Sequence, residues 1–269
     1  MSTIGFVGGG NMAEALVKGI IAARLYAPEN VLVSDIRTER LEFLSTSYGA
    51  VGVQSNAELA AKIDTLVLSI KPQTMTDALN SIKDSIRPGA LVISIAAGIK
   101  VAKIAAVLGD VAIVRVMPNT PALIGEGASA LFANDKAKPL LKKAMSIFTS
   151  VGKAVVVDNE DLIDAVTAVS GSGPAYFFLL MEEMINCAVE LGLPETVAKD
   201  LVLQTAKGAG MLAAAADKNG ESPAQLRKKV TSPGGTTEAA IKVFSEGNIS
   251  KLIAAAITRA RDRARELSK

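Results

Sequence analysis

The chain has 269 residues, and its formal net charge of +2 comes from 29 Lys and Arg interleaved with 27 Asp and Glu. It has no histidine and one cysteine, so Ser-His-Asp hydrolysis, most zinc chemistry and an internal disulfide framework are poor hypotheses. The length suits one large domain or two of ordinary size, and two are expected.

Hydrophobic residues make up 49% of the chain, but the longest uncharged run, residues 165–181, is interrupted by glycine and proline. A transmembrane helix is therefore not expected. The first basic residue is Lys18 and the Gly-rich start does not resemble a secretory signal, which predicts a cytoplasmic protein. The basic cluster at residues 259–265 is matched by Asp262 and Glu266, so a solvated helix face is favoured over nucleic-acid binding.

The first half of the chain alternates short runs of Val, Ile and Leu with amphipathic stretches of helical length. This alternation predicts βαβ units and an α/β fold with a Rossmann-like, mostly parallel, doubly wound sheet. Helices are predicted at residues 12–24, 57–62 and 139–151, the second with Ser55 and Glu58 as a capping box. Strands are predicted at residues 3–7, 31–34, 65–70, 91–95, 111–116, 129–132 and 154–157.

The strand-like runs stop after Asn159, and Ala, Leu, Glu and Lys follow in helical spacing. We therefore expect a Rossmann domain over residues 1–159 and an all-α domain over 160–269. Ala-rich stretches in the second half are apolar on more than one face, which predicts packing against other helices of the chain or of a second subunit. Cys187 lies between apolar neighbours and is expected to be a buried small hydrophobe.

Gly8, Gly10 and Ala13 form a Gly-x-Gly-x-x-Ala fingerprint between the first predicted strand and the first predicted helix. Gly8 allows the tight turn, Gly10 lets the backbone approach a pyrophosphate, and Ala13 permits close helix–strand packing. The first amides of the helix then face the phosphates. The motif predicts a dinucleotide cofactor, and a Gly-rich turn without a ligand is the alternative.

The end of the second strand bears on the choice of coenzyme. Asp35 lies 25 residues beyond Gly10, where an acid can bind the ribose hydroxyls and favour NADH. Arg37 can pair with a 2′-phosphate and Ser34 can donate to one, which favours NADPH, although Arg37 can equally be a solvated loop charge. The expected cofactor is NADPH or NADH, and the choice between them stays open.

Six strings, in this order, resemble the pyrroline-5-carboxylate reductase family, whose members reduce a cyclic imine in the last step of proline synthesis. The resemblance covers the whole chain. It implies an NAD(P)H-dependent oxidoreductase acting on a CH–NH group, with a Rossmann domain followed by an all-α dimerisation domain. Family members assemble as dimers or decamers, and paired helical domains build the substrate site. The strings are residues 5–12, 69–72, 94–98, 117–121, 170–176 and 232–237.

The resemblance also implies which residues touch the cofactor. The family usually prefers NADPH and often lacks an acid at the position of Asp35. A role for Lys71 near the nicotinamide competes with a solvated turn lysine, and Asn119 either shapes the nicotinamide pocket or serves turn chemistry. The implied cofactor residues are Gly8, Gly10, Asn11, Met12, Asn56, Ser69, Ile70, Lys71, Pro72, Ala96, Ala97, Gly98 and Asn119.

Residues 232–237 precede a predicted helix at 238–245, so their amides lie at a helix N-terminus, which suits a carboxylate. Helix capping alone is the alternative. The resemblance implies that Gly235, Thr236 and Thr237 hold the substrate and that the Thr237 hydroxyl faces the ring nitrogen. Thr237 is too weak an acid to supply the proton, which is expected from water or from a protonated substrate. No metal is required.

Three other functions compete with this one. A β-hydroxyacid dehydrogenase and a reductase of another imine share the architecture, but residues 232–237 argue against the hydroxyacid. A cofactor-binding scaffold without chemistry is disfavoured because that loop is intact. Neither nucleic acid nor a membrane is expected as a partner.

Overall fold

The computed structural model describes residues 2–268. The chain divides into two compact units, one formed by the chain up to Pro174 together with the segment from Arg259 onward, the other by Ala175–Thr258.

The first unit contains one sheet of eight strands, in the order β3-β2-β1-β4-β5-β6-β7-β8. All neighbours pair in parallel except β6 and β7, which are antiparallel. The order of the first six strands is that of a Rossmann domain, and it reverses between β1 and β4. The strands are β1 (Ile4–Val7), β2 (Val31–Ser34), β3 (Val51–Gly52), β4 (Thr65–Leu68), β5 (Leu91–Ser94), β6 (Ala112–Met117), β7 (Gly127–Ala133) and β8 (Gly152–Val156).

Helices cover both faces of this sheet and bury two hydrophobic cores. Side chains of α1, α2 and α6 form one core with the strands, and those of α3, α4 and α5 form the other. Adjacent residues of β1 point to opposite cores, because side chains alternate along a strand. These helices are α1 (Asn11–Ala22), α2 (Thr38–Tyr48), α3 (Asn56–Lys62), α4 (Met75–Ile82), α5 (Val101–Leu108) and α6 (Leu141–Thr149).

The predicted mostly parallel, doubly wound sheet is confirmed, and each predicted strand has a counterpart within two residues at either end. The prediction missed β3, which has only two residues, both exposed. It also did not foresee that β7 reverses direction. The connection from β6 to β7 spans only residues 118–126, which is shorter than the crossover that a parallel pair needs.

The capping box predicted at the start of α3 is formed in part. The Ser55 side chain accepts a hydrogen bond from the Glu58 amide, as expected of an N-cap. The Glu58 carboxylate is directed to Lys62 Nζ, at 2.7 Å, one turn further along the helix.

The chain continues from β8 through α7 (Leu162–Val166) and a π-helical turn (Thr167–Gly171) into α8 (Gly173–Glu190). The Ser172 amide donates to Thr167 O at 2.8 Å, the five-residue spacing of a π-helix. The run Leu162–Glu190 is long and apolar enough to cross a membrane, but one such helix is weak evidence for a span.

The rest of the described chain is α9 (Glu195–Asp217), α10 (Pro223–Lys229), α11 (Thr236–Glu246) and α12 (Ile249–Leu267). Through residue 268 no strand follows β8, which confirms the predicted all-α second half. The first unit continues past residue 159, because α7 packs against β6 and β7. The domain boundary expected at residue 159 stays a prediction.

Apolar side chains of α8 are exposed in the single chain, among them Phe177 at 65% and Phe178 at 60%. Cys187 is exposed as well, so the prediction that it is buried is wrong for this chain alone. Apolar neighbours in sequence indicate burial only where another element covers the helix. Exposed apolar patches of this kind are typical of self-association surfaces.

Gly152, at the start of β8, generates a stability prediction. Its φ is +144°, and a Cβ there would overlap the backbone of Gly127 on β7. We expect Gly152→Ala to lower the free energy of unfolding by about 3 kcal/mol, measured by urea denaturation. Gly89→Ala is the control: its φ is +79° with open space around it, so only the backbone cost of about 1 to 2 kcal/mol applies. If both variants lost the same free energy of unfolding, the Cβ at position 152 would not be clashing with Gly127.

Candidate active site

The Gly-rich turn after β1 is bounded by both neighbouring strands. Gly8 has φ +96°, and a Cβ on it would lie 2.6 Å from Ser69 O. Its amide donates to Ser34 O at the end of β2, at 2.8 Å. The Ser69 hydroxyl, just beyond β4, donates to Gly8 O at 2.7 Å and to Val7 O at 3.0 Å. A residue with a side chain therefore does not fit at position 8.

Gly9 is held through both of its backbone polar groups. Its amide donates to Asp35 Oδ2 at 2.7 Å, and its carbonyl accepts from Arg40 Nε at 2.9 Å. Arg40 also pairs with Glu14 of α1, at 2.8 Å. Nothing in the sequence points to Arg40, because an arginine in an amphipathic helix carries no signal that distinguishes this contact from a solvated charge.

The turn has the features that a dinucleotide pyrophosphate requires. A Cβ on Gly10, the N-cap of α1, would meet nothing within 4 Å. No side chain in residues 2–268 caps α1, so the amides of its first turn, at Asn11, Met12 and Ala13, remain available to an anion. The residues present thus fit the phosphate-binding end of a nicotinamide cofactor.

Asp35 serves the turn and the neighbouring loop. Its Oδ1 accepts from the Arg37 amide at 2.9 Å and from Arg37 Nε at 3.1 Å. Burial by itself would raise the pKa of Asp35, but the hydrogen bonds from the Arg37 side chain and from the amides of Arg37 and Gly9 lower it. The Asp35 side chain is only 7% exposed, whereas that of Arg37 is 51% exposed. The carboxylate therefore holds Arg37 at the surface of the loop.

Ser34 and Asn56 are bonded to each other beside this loop. The Ser34 hydroxyl donates to Asn56 Oδ1 at 2.7 Å, and Asn56 Nδ2 donates to the Ser81 hydroxyl at 3.1 Å. The predicted donation from Ser34 to a 2′-phosphate would require this bond to be given up. Ser81, on α4, was not identified from the sequence.

The residues expected around the nicotinamide follow the ends of β4 and β5. Ser69 and Ile70 are half-buried and Lys71 is exposed, just before the short turn Pro72–Thr74. Of the Ala96-Ala97-Gly98 turn, Ala96 is buried and Ala97 is exposed. Because β1, β4 and β5 are parallel neighbours, the three turns lie along one edge of the sheet.

Asn119 uses its side chain to join two backbone segments. Its Oδ1 accepts from the Ala128 amide at 2.8 Å, and its Nδ2 donates to Ser170 O in the π-helical turn at 3.0 Å. These bonds to the backbone are those expected if Asn119 stabilises the turn, which was its alternative role. The expected contact with the cofactor stays a prediction.

The second unit contains the residues expected to hold the substrate. The helix predicted to begin at residue 238 begins at Thr236, so Thr236 and Thr237 lie in the first turn of α11 and Gly235 is its N-cap. This correction arises because both threonines have helical geometry, although a Gly-Gly-Thr-Thr sequence is typical of a loop. No described side chain caps α11. Glu238 instead reaches back and accepts from the Gly234 amide at 2.8 Å.

Two protein families match the chain. The family "Pyrroline-5-carboxylate reductase dimerisation" matches residues 160–267. The family "NADP oxidoreductase coenzyme F420-dependent" matches residues 3–98. The first match corresponds to the helical half and the second to the larger part of the sheet.

Relatives match over nearly their whole length. A pyrroline-5-carboxylate reductase of Pseudomonas aeruginosa is 44% identical, with 100% of this chain and 98% of the relative covered. The structure of a pyrroline-5-carboxylate reductase of Coxiella burnetii superimposes with a TM-score of 0.93 at 42% identity, covering 100% and 99% of the two chains. That of Plasmodium falciparum, with NADP bound, gives 0.87 at 31% identity and covers 100% and 98%.

The bonds of Asp35 generate a prediction about its role. Replacing Asp35 with alanine frees the Gly9 amide and loosens the phosphate-binding turn, so we expect KM to rise by about tenfold or more for both NADPH and NADH. Steady-state rates with each coenzyme measure this, and Glu39→Ala, at an exposed acid on α2, is the control. A loss confined to NADH would show that Asp35 binds the ribose instead.

The same carboxylate has a pH signature. Its pKa is lowered in the folded chain, so its stabilisation is complete above the ordinary pKa of an aspartate and is lost as the pH falls through the folded-state pKa. The difference in unfolding free energy between the unaltered protein and Asp35→Asn should be constant from about pH 5 to 8 and shrink below about pH 4.

Proposed function

The chain belongs to the pyrroline-5-carboxylate reductase family, and from this we propose how its residues reduce 1-pyrroline-5-carboxylate to L-proline with NAD(P)H. The reaction adds a hydride to the imine carbon and a proton to the ring nitrogen, and it completes proline biosynthesis. The observation that carries the proposal is that the chain has two uncapped helix N-termini, the phosphate-binding turn at α1 and Gly235-Thr236-Thr237 at α11.

The first unit binds the coenzyme in this proposal. When bound, NAD(P)H supplies the hydride. The first-turn amides of α1 bind the pyrophosphate, while Gly10 leaves room for it. Residues 69–72 and 96–98 flank the nicotinamide, and the exposed ammonium of Lys71 lies at the end of the strand that faces it. These side chains orient the ring and exclude water.

The second unit binds the substrate. The amides at the start of α11 hold its carboxylate, because a helix N-terminus offers free N–H groups and a favourable dipole. Glu238 satisfies the Gly234 amide and leaves the amides of Thr236 and Thr237 to the ligand. The Thr237 hydroxyl orients the ring nitrogen by donating to the neutral imine or by accepting from the N–H of the protonated imine. The proton that remains on the product comes from water or from an already protonated imine, because a threonine hydroxyl is far too weak an acid.

The chain self-associates through the region matched by the dimerisation family. Exposed apolar side chains such as Phe177, Leu201 and Met211 support an extensive interface there. We propose a dimer, or a decamer built from dimers, in the cytoplasm, with neither nucleic acid nor a membrane as a partner. Size-exclusion chromatography with light scattering distinguishes the two assemblies.

Thr237 provides the test of this function. The purified protein is expected to oxidise NAD(P)H in the presence of 1-pyrroline-5-carboxylate, followed at 340 nm. Thr237→Ala should lower kcat/KM by about ten- to a hundredfold, the loss of one hydrogen bond aligned with the reacting atom, whereas Thr237→Ser keeps most of the activity. Turnover by the alanine variant equal to that of the unaltered protein would refute the role of Thr237. No turnover by a folded, cofactor-binding protein would point to another imine.

Arg37 provides the test of coenzyme choice. We propose that NADPH is preferred, because Asp35 is already bonded to Gly9 and Arg37 and holds the Arg37 guanidinium at the surface. Arg37→Gln should then raise KM for NADPH about tenfold and leave KM for NADH nearly unchanged, so NADH acts as the internal control. An equal change with both coenzymes would show that Arg37 does not read the 2′-phosphate.

A further inference from the structure

Arg115 is a buried cation in the middle of β6. Its side chain is 2% exposed, and among the described residues only Asp164 is a second charged residue with comparable burial. Arg115 Nη1 donates to Glu160 Oε1 at 3.1 Å, and Nη2 lies 3.7 Å from Asp164 Oδ1. Such a pair adds little net stability, because desolvation offsets the attraction between the charges. Its main effect is to fix the positions of its partners.

Glu160 extends this contact to the turn after β5. The same oxygen, Oε1, accepts from the Val101 amide at 2.8 Å. Val101 is the first residue of α5, and only Ile99 and Lys100 lie between it and the Ala96–Gly98 turn. A carboxylate at that position also interacts favourably with the positive end of the helix dipole. One carboxylate oxygen thus connects Arg115 to the start of α5.

Two residues of β6, together with Asn119 just beyond it, contact the segment 160–171 at three points. Arg115, Met117 and Asn119 are alternate residues and therefore share one face of the extended chain. Arg115 binds Glu160. Met117 Cε lies 2.6 Å from where a Cβ on Gly171 would be, and Asn119 donates to Ser170 O. The segment is therefore fixed at both ends.

The end of α12 lies against the Ala96–Gly98 turn. A Cβ on Gly98 would lie 2.9 Å from Leu267 O. The next residue, Ser268, donates to Asp164 Oδ1 at 3.5 Å. Both acids beside Arg115 are therefore connected to the turn. Glu160 reaches it through the first amide of α5, and Asp164 reaches it through Ser268 at the end of α12.

We propose that Glu160 is a positioning residue, which Arg115 holds in place and which fixes the Ala96–Gly98 turn and thereby the nicotinamide end of the coenzyme site. The inference rests on the proposed function in one respect, which is that this turn contacts the coenzyme. Removing Glu160 leaves Asp164 beside Arg115, so the guanidinium keeps a counter-charge. Glu160 is for that reason a better site for substitution than Arg115.

Two variants break the connection in different ways. Glu160→Ala removes the acceptor. Val101→Pro removes the N–H donor, and the proline Cδ that takes its place pushes Glu160 Oε1 away from the start of α5. Proline is suited to the first position of a helix, and Lys100 before it already has φ −74° and ψ 152°, as a following proline requires. Glu160→Gln keeps an acceptor oxygen. Asp161→Ala is the matched control, because this adjacent acid is 66% exposed and pairs with Lys100 at the surface.

The first measurement is hydrogen exchange in the coenzyme-free protein. Glu160→Ala should speed exchange in residues 96–104 about tenfold, with the rest of the sheet unchanged, while Glu160→Gln and Asp161→Ala resemble the unaltered protein. Unchanged exchange in folded Glu160→Ala, or equal acceleration throughout the chain, overturns the inference. The exchange result does not depend on catalysis and stands even if 1-pyrroline-5-carboxylate is not turned over.

The second measurement is kinetic. Glu160→Ala and Val101→Pro should both lower kcat/KM for the coenzyme about tenfold, with KM for the imine unchanged, and Glu160→Gln should restore most of it. If Glu160→Ala fails to fold, Val101→Pro decides the question. An equal loss of kcat/KM for the coenzyme and for the imine rejects a positioning role. An unchanged kcat/KM in folded Val101→Pro rejects it as well. If the imine is not a substrate, coenzyme affinity followed by nicotinamide fluorescence replaces kcat/KM.

Discussion

The rigid turn from Gly8 to Gly10 is the constraint on which the coenzyme site depends. Its backbone is bonded on one side to Ser34 and Asp35 at the end of β2 and on the other to Ser69 beyond β4. β1 lies between those two strands, where the strand order reverses. The turn, and the N-terminus of α1 that it directs, are therefore fixed by the sheet rather than by the loop alone.

Charged side chains in the first unit connect backbone segments of different elements through hydrogen bonds and ion pairs. Asp35 and Arg40 hold the two polar groups of Gly9, and Arg115 connects β6 to Glu160. In each case a side chain that is costly to bury finds its partner in a backbone group or an opposite charge of another element. These contacts link strand ends that are distant in sequence. They explain how separate short motifs come to form one site.

The helical half follows a different principle. Its helices leave large apolar side chains exposed, including Phe177, Phe178 and Leu212. This region matches the dimerisation family, and exposed apolar side chains of this kind are typical of a surface that packs against a second copy. Cys187, on the same helix as Phe177 and Phe178, is exposed in the single chain as well. Solvent exposure in one chain therefore does not show which residues of this half are exposed in the assembled protein.

The sequence by itself determined the α/β and all-α halves, the strand positions and the phosphate-binding turn, because hydrophobic periodicity and Gly-x-Gly-x-x-Ala depend on local geometry. Only the tertiary structure decided that Asp35 holds Gly9 and Arg37, that β7 runs antiparallel, and that α11 begins at Thr236. An arginine flanked by Ile113, Val114 and Val116 was a signal of a buried charge, but its partners lie 45 and 49 residues away. Long-range pairing of that kind is set by packing, which no local pattern encodes.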